Sequence, residues 1–348
     1  MKSAIALAAA LLALTASPLA AQEDADKPPV RWAPDATPSV VRPTPDTTVN
    51  AWAAFSRYNP KPSEDQHLQD RILEGAVDIH AHYGPDTYKR GWDAFEIAAR
   101  AQERGMRGMV IKSHWTETAS IANLTRKYAA PELEVFGGLA LNVSVGGINP
   151  MAVRVFAEMD GGYGKVVWMP THDSEHEVMT NGDARPFVRV SEYGALLPQV
   201  LEVLDLIKHY DLTLATGHVT AQEMLMIMRE ARARGIERII VTHPNLGPQY
   251  TDPTPEELRE AVAMGAYAEV VANTLYSDTS RPAMVRIIRD LGPEHVIVAT
   301  DSGLVGTPNH ADALVLSARL LRAEGFTEDE LDLMFKHNPA RVLGLPVQ

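Results

Sequence analysis

The chain has 348 residues, no cysteine and an excess of acid, 45 Asp and Glu against 32 Lys and Arg, for a formal net charge of −13. The missing cysteines exclude thiolate metal sites, iron–sulfur clusters, disulfides and Cys nucleophiles. The acidic balance removes the phosphate attraction on which nucleic-acid and anionic-membrane binding depend, so a small-molecule partner is the default and no nucleic acid is expected.

The chain opens MKSAIALAAALLALTASPLAAQ, a single Lys followed by an apolar stretch from Ala4 to Ala16 and small residues up to Ala21. This layout predicts a secretory signal peptide over 1–21, cleaved near Ala21, and a periplasmic or secreted mature protein. The apolar run is short of the roughly 20 residues a spanning helix needs, so no membrane association is expected after cleavage. Residues 22–62, with "KPPVRWAPDATPSVVRPTPD", are Pro-rich and read as an N-terminal extension, a tether or a surface wrap. The main domain is expected over 63–348.

From Ile72 onward, short β-branched runs alternate with segments of helical periodicity. The strands are predicted at 76–80, 107–112, 134–141, 164–169, 212–216, 237–242, 267–272 and 295–300. Helices are predicted at 93–104, 117–128, 150–159, 194–209, 221–234, 255–264, 281–291 and 310–324, with a final one at 328–336. Thr220–Glu223, Thr254–Glu257 and Thr327–Glu330 have capping-box spacing, and Pro255 suits a first helical position. Eight strand–helix repeats predict an α/β protein closed as a TIM (β/α)8 barrel. An open doubly wound sheet is the alternative, but no Gly-rich phosphate loop follows the first strand.

In such a barrel the site lies at the C-terminal strand ends. Those ends carry His80 and His82, Lys112 and His114, Asn142, Thr171 and His172, His218, His243, Asn273 and Asp301, so six of the 12 histidines of the chain fall there. His80 and His82 share a face because strand side chains alternate with period two. Together with His218, His243 and Asp301 they form a set of imidazoles and one carboxylate suited to a divalent metal, foremost Zn²⁺.

These residues resemble the amidohydrolase superfamily of metal-dependent hydrolases, through "VDIHAH", "ATGHVT", "VTHPN", "VATDSG" and "HNPARVLGL". More narrowly, "VDIHAHYGPD", "MVIKSH", "LNVSVGGINP" and "VVWMPT" resemble an amidohydrolase-like branch of it. The resemblance spans about residues 72 to 345. It implies a distorted TIM barrel in which His80, His82, His218, His243 and Asp301 bind one or two divalent ions. Many binuclear members bridge the metals with a carboxylated lysine near the end of the fourth strand. Here Lys165 starts that strand, and Lys112 at the end of the second is the alternative bridge, or else a substrate contact or an ion-pair partner of an acid such as Asp86.

The expected reaction is hydrolysis of a C–N or C–O bond of a small amide, cyclic amide, lactone or ester by metal-activated water, with Asp301 as metal ligand and proton acceptor. His114 and His172 are candidates for orienting the substrate or stabilising an oxyanion, and Lys112, Trp168, Arg90 and Asn142 for binding it. Tyr83, Tyr88 and Trp115 join Trp168 as a candidate apolar wall. A metal-dependent decarboxylase on the same barrel and a non-catalytic periplasmic metal- or ligand-binding protein are the two other classes. A homo-oligomer is compatible with the sequence, which does not encode the substrate in any readable way.

Overall fold

The structure, a computed structural model, describes residues 39–41 and 65–347. The expected leader lies outside the described residues, as does the expected extension apart from Ser39–Val41. There Val40–Val41 pairs antiparallel with Phe187–Val188. Among the described residues no helix is long and apolar enough to cross a membrane.

Eight strands form one parallel sheet in chain order: β1 Val77–His82, β2 Gly108–Lys112, β3 Glu134–Ala140, β4 Gly164–Trp168, β5 Thr213–Ala215, β6 Ile239–Val241, β7 Tyr267–Val271 and β8 Val296–Ala299. Each is followed by a crossover helix: α1 Ala94–Glu103, α2 Ala119–Tyr128, α3 Pro150–Ala157, α4 Pro198–His209, α5 Ala221–Ala233, α6 Pro255–Ala263, α7 Arg281–Leu291 and α8 His310–Ala323. This is the TIM barrel the alternation predicts. The capping boxes at Thr220, Thr254 and Thr327 all form, and a fourth joins Asp93 to Glu96 at the start of α1. Each supplies acceptors to N–H groups that a helix start leaves without partners.

Two predicted helices differ from the observed ones. The segment expected at 194–209 begins only at Pro198, because Ser191–Glu192 and Ala195–Leu196 pair as a short hairpin. The last helix stops at Asp332, passes through a π-turn at Leu333–His337 and resumes over Asn338–Val342.

The pleat sorts the apolar side chains into two layers. Val77, Ile79, Val110, Val166, Trp168, Ala215, Ile240 and Ile297 fill the barrel interior, closed at one end by Val342 and Leu343. The opposite faces of the same strands, including Ala81, Met109, Ile111, Leu214 and Val298, pack under the helices. This assignment exposes a conflict in β1. Strict alternation would send His80 and His82 to the helix side if Val77 and Ile79 point into the barrel. A bulge resolves it: Asp78 pairs with Met109 and Ala81 with Ile111, so Ile79 and His80 together oppose Val110 alone. The extra residue turns His80 and His82 inward.

The first and last strands meet at a seam beside that bulge. The Asp301 N–H donates to the His80 carbonyl at 2.9 Å and the His82 N–H to the Ser302 carbonyl at 3.0 Å. Asp78, fully buried, accepts from the Thr300 hydroxyl at 2.6 Å and from the backbone N–H groups of Thr300 and His80, both at 3.1 Å. Gly303, at φ +131°, is required where a side chain would come within 2.4 Å of the His82 carbonyl oxygen.

Replacing Asp78 by Ala leaves the buried backbone N–H groups of Thr300 and His80 without an acceptor and leaves the Thr300 hydroxyl only its longer contact with the His80 carbonyl, at 3.2 Å. We expect Asp78→Ala to lower the unfolding free energy by about 3 kcal/mol or more, read from urea unfolding, whereas an exposed control substitution stays within about 0.5 kcal/mol.

Candidate metal centre and active site

The seam brings the first and last strand ends into contact. The His80 Nδ1–H donates to Glu269 Oε1 at 2.9 Å, and the His82 Nδ1–H donates to the Lys112 carbonyl at 3.1 Å. A carbonyl only accepts, so the His82 proton sits on Nδ1; the Glu269 carboxyl, which burial would raise, is held below its ordinary range by His80 and fixes the His80 proton in the same way. Both rings therefore turn bare Nε2 lone pairs toward Asp301 Oδ1, at 3.2 Å from His80 and 3.1 Å from His82. Three acceptors thus face one another with no proton of their own. Lys112 Nζ, 2.9 Å from His80 Nε2, is the donor at their edge.

A second pair lies alongside. The His218 Nδ1–H donates to Glu177 Oε2 at 2.6 Å, and its Nε2 sits 3.1 Å from His243 Nε2, while His243 Nδ1 has no hydrogen-bond partner among the described residues. One proton between these two Nε2 atoms satisfies both, in a place where a cation would serve equally well. The rings of His80 and His243 stack at 5.8 Å, so the two groups adjoin. Glu269 ties them together, its Oε2 accepting from the His243 backbone N–H at 3.1 Å.

This chemistry fits a divalent ion: imidazoles fixed by outer hydrogen bonds, one carboxylate, and inward lone pairs in need of a positive charge. Among the described residues, His80, His82 and Asp301 form a group whose ligand atoms lie within 4.8 Å of one another. His218 and His243 stand outside that tight triad. Backbone strain collects here, with Asp301 at φ +48° and His243 at φ +20°.

The cavity above these groups holds about 180 Å³ and is lined by His82, Arg90, Lys112, His114, His172 and Asp301, with Tyr88 and Tyr250 among the aromatic residues. Lys112 is buried, and burial pulls its pKa down to about 8 against the opposing charges of Asp301 and Glu269. Its ammonium lies 5.0 Å over the Trp168 ring. Lys112 is not the partner of Asp86. That carboxylate instead takes Arg90 (2.6 and 2.7 Å) and the Trp115 indole N–H (2.7 Å). Arg90 thus stands fixed at the cavity wall, with its Nη1 making no hydrogen bond among the described residues.

Two expected substrate contacts are corrected. Trp168 is fully buried beneath Lys112 in the barrel interior, where Gly138 makes room for it, and does not line the cavity. Asn142 is also fully buried, and both ends of its amide are engaged. Its Oδ1 accepts from the backbone N–H groups of Thr171 (2.9 Å) and Asp173 (3.3 Å), and its Nδ2 donates to the His114 carbonyl (3.0 Å) and Thr171 Oγ1 (2.9 Å). Of the expected aromatic wall, Tyr88 lines the cavity, and Tyr83 and Trp115 do not.

His114 and His172 both reach the cavity. His172 lies 3.2 Å from the Tyr88 hydroxyl and 3.2 Å from Glu177 Oε1, so Glu177 links it to His218. Burial would raise the Glu177 carboxyl, but the hydrogen bonds from His172 and His218 bring it down to about 2. Sequence reading missed Glu177 and Glu269. Glu269 carries a signal, a lone acid in the apolar run "YAEVV" facing the interior, whereas Glu177 sits on a short helix inside the 171–192 excursion and carries none.

A family model described as a family of unknown function (DUF6282) matches residues 75–269. Solved structures share the fold at low sequence identity. An amidohydrolase from Burkholderia multivorans with bound zinc is 13% identical, with a TM-score of 0.52 over 78% of this chain and 99% of that one. The phosphotriesterase homology protein from Escherichia coli, complexed with phosphate in its active site, is 15% identical, with a TM-score of 0.52 over 77% and 98%. N-acetyl-D-glucosamine-6-phosphate deacetylase from Mycobacterium smegmatis is 18% identical, with a TM-score of 0.52 over 79% and 77%. These proteins thus share the barrel fold of this chain. No curated protein matches the chain in sequence.

Burial holds several histidines neutral: His82, His114 and His218 fall below their ordinary range, His243 falls to about 3 and His310, which donates to the Ser302 carbonyl, to about 4. Below about pH 6.5 the unfolded chain takes up protons that these folded sites refuse, so stability is whole above that pH and lost as pH falls. For His310 alone, moving from pH 7.5 to 5.0 costs about 2 kcal/mol. Urea unfolding of metal-free protein at the two pH values is expected to show a loss smaller by about that amount in His310→Gln, whose amide can still donate to Ser302. An equal loss in both proteins refutes this.

Proposed function

The chain belongs to the DUF6282 family of unknown function, and for this member we propose a metal-dependent hydrolase that cleaves a C–N or C–O bond of a small molecule. The observation that carries this reading is the sorting of protons around the triad. His80 and His82 send their N–H groups outward, to Glu269 and the Lys112 carbonyl, and keep bare lone pairs beside the Asp301 carboxylate. Such a set is poorly satisfied by the protein alone and well satisfied by Zn²⁺ or a similar first-row ion. When bound, that ion supplies Lewis acidity toward water and toward a substrate carbonyl or phosphoryl oxygen. The leader-like N-terminus supports export, which would put the reaction outside the cytoplasm.

The chain's own groups supply the rest. Asp301 keeps 18% of its side chain exposed, and its Oδ2 accepts no hydrogen bond among the described residues, so it is available to take a proton from attacking water and pass it to the leaving group. Arg90, immobilised by Asp86, offers Nη1 to an acidic or carbonyl group of the substrate. The volume of about 180 Å³, comparable to roughly six waters, favours a compact substrate. We propose that Lys112, its pKa lowered by burial and its ammonium 2.9 Å from His80 Nε2, would take up carbon dioxide as a carbamate and with His218 and His243 would hold a second ion.

Asp301→Asn is expected to retain metal and lose turnover by roughly 10²–10⁴ on an ester, lactone and amide panel. Full activity in metal-stripped protein, verified by elemental analysis, would sink the hydrolase reading. For Lys112, reconstitution of apoprotein with Zn²⁺ is expected to give one equivalent without bicarbonate and two with it. Lys112→Met should hold one under both conditions, and a second equivalent in that variant would remove Lys112 as the bridge.

A further inference from the structure

The histidines around the cavity do not all show it the same nitrogen. His80, His82 and His218 carry their protons on Nδ1, fixed by Glu269, the Lys112 carbonyl and Glu177, and so present lone pairs inward. His114 is held from the other side. Its Nδ1 lies 3.2 Å from Thr171 Oγ1, and its Nε2 makes no hydrogen bond among the described residues. Which of the two atoms in that contact donates depends on Thr171, and Thr171 depends on Asn142.

Asn142 has a fixed orientation. The backbone N–H groups of Thr171 and Asp173 point at one end of its amide, which must therefore be oxygen. The other end is the NH₂ group, donating to the His114 carbonyl and to Thr171 Oγ1. Thr171 Oγ1 is thus an acceptor toward Asn142 and retains its own proton. Thr171 is fully buried, and among the described residues His114 Nδ1 is the acceptor within reach of that proton. A buried hydroxyl proton without an acceptor is costly, so Thr171 donates and His114 Nδ1 accepts. The His114 proton then resides on Nε2.

We infer that His114 is a neutral hydrogen-bond donor to the substrate oxygen on which negative charge develops, locked in its Nε2–H tautomer by Asn142 acting through Thr171. Its ring stacks on that of His82 at 4.7 Å, and it lines the cavity with Lys112 and Asp301, which sets the N–H beside the triad. The same proton bars His114 from serving as a metal ligand through Nε2. Asn142 and Thr171 are positioning residues: neither contacts the cavity, and both act on the direction of one hydrogen bond. The catalytic role rests on the hydrolase reading above; the tautomer does not.

The test is a long-range ¹H–¹⁵N correlation spectrum of Zn²⁺-loaded protein labelled with ¹⁵N-histidine, which separates the two neutral tautomers. The His114 signals are identified by their loss in His114→Gln. The expected result is a protonated Nε2 and an unprotonated Nδ1 on His114, retained in Thr171→Ser and replaced by a mixed or reversed pattern in Thr171→Val. An Nδ1–H tautomer in the wild type, or an unchanged His114 pattern in Thr171→Val, overturns the inference. On any substrate the wild type turns over, His114→Gln, which keeps an N–H donor, is expected to stay within about tenfold in kcat, and His114→Ala to fall by about a hundredfold or more. Equal losses in the two variants overturn the donor role. Absence of turnover by the Zn²⁺-loaded wild type across the panel would instead defeat the hydrolase reading, whatever tautomer the spectrum shows.

Discussion

The carboxylate of Asp78 is the constraint on which the site depends. A barrel must join its last strand to its first, and here the join is made by one buried acid that accepts from the Thr300 hydroxyl, the Thr300 N–H and the His80 N–H. Burial pushes that carboxyl up to about 6 even with three donors on it, so its charge is kept at a cost. Local geometry does the rest: Asp301 comes one residue after Thr300, and its own N–H donates to the His80 carbonyl. The contact that closes the sheet also fixes the distance between the carboxylate and the two imidazoles of the triad.

From that seam the polar groups spread as a connected network inside an apolar barrel. Glu269 joins His80 to the backbone of His243, and Glu177 joins His218 to His172. Both acids would be raised by burial and are held low by the imidazoles they accept from. Partly satisfied, such a network would be a liability in a low-dielectric interior; nearly every member here has a partner. The lone pairs that remain gather where a cation belongs.

The strand–helix alternation and the strand ends were legible because they rest on short-range rules: periodicity, capping spacing and the tendency of barrels to carry chemistry at one rim. The strand positions agree with the structure to within one or two residues. The direction of individual side chains was less legible. Trp168 and Asn142 both lie near the rim by sequence, yet one drops beneath Lys112 and the other spends its whole amide on the backbone around Thr171. Glu177 could not be found from periodicity, since it arrives on a short helix whose position is set by the packing of an excursion. The helix expected from residue 194 starts late for a similar reason, cross-strand pairing outcompeting helical propensity.

The inward turn of His80 and His82 agreed with the expectation of a shared face, but alternation alone would have put that face on the wrong side of the strand. The bulge at Ile79 and His80 has a consequence of a different kind: it makes the centre dependent on the count of residues in β1 and not only on their identities. Deleting Ile79 would leave every ligand in the sequence while rotating either the histidines or Val77 out of the barrel. The segment should therefore tolerate exchange of one aliphatic side chain for another far more readily than any change in its length.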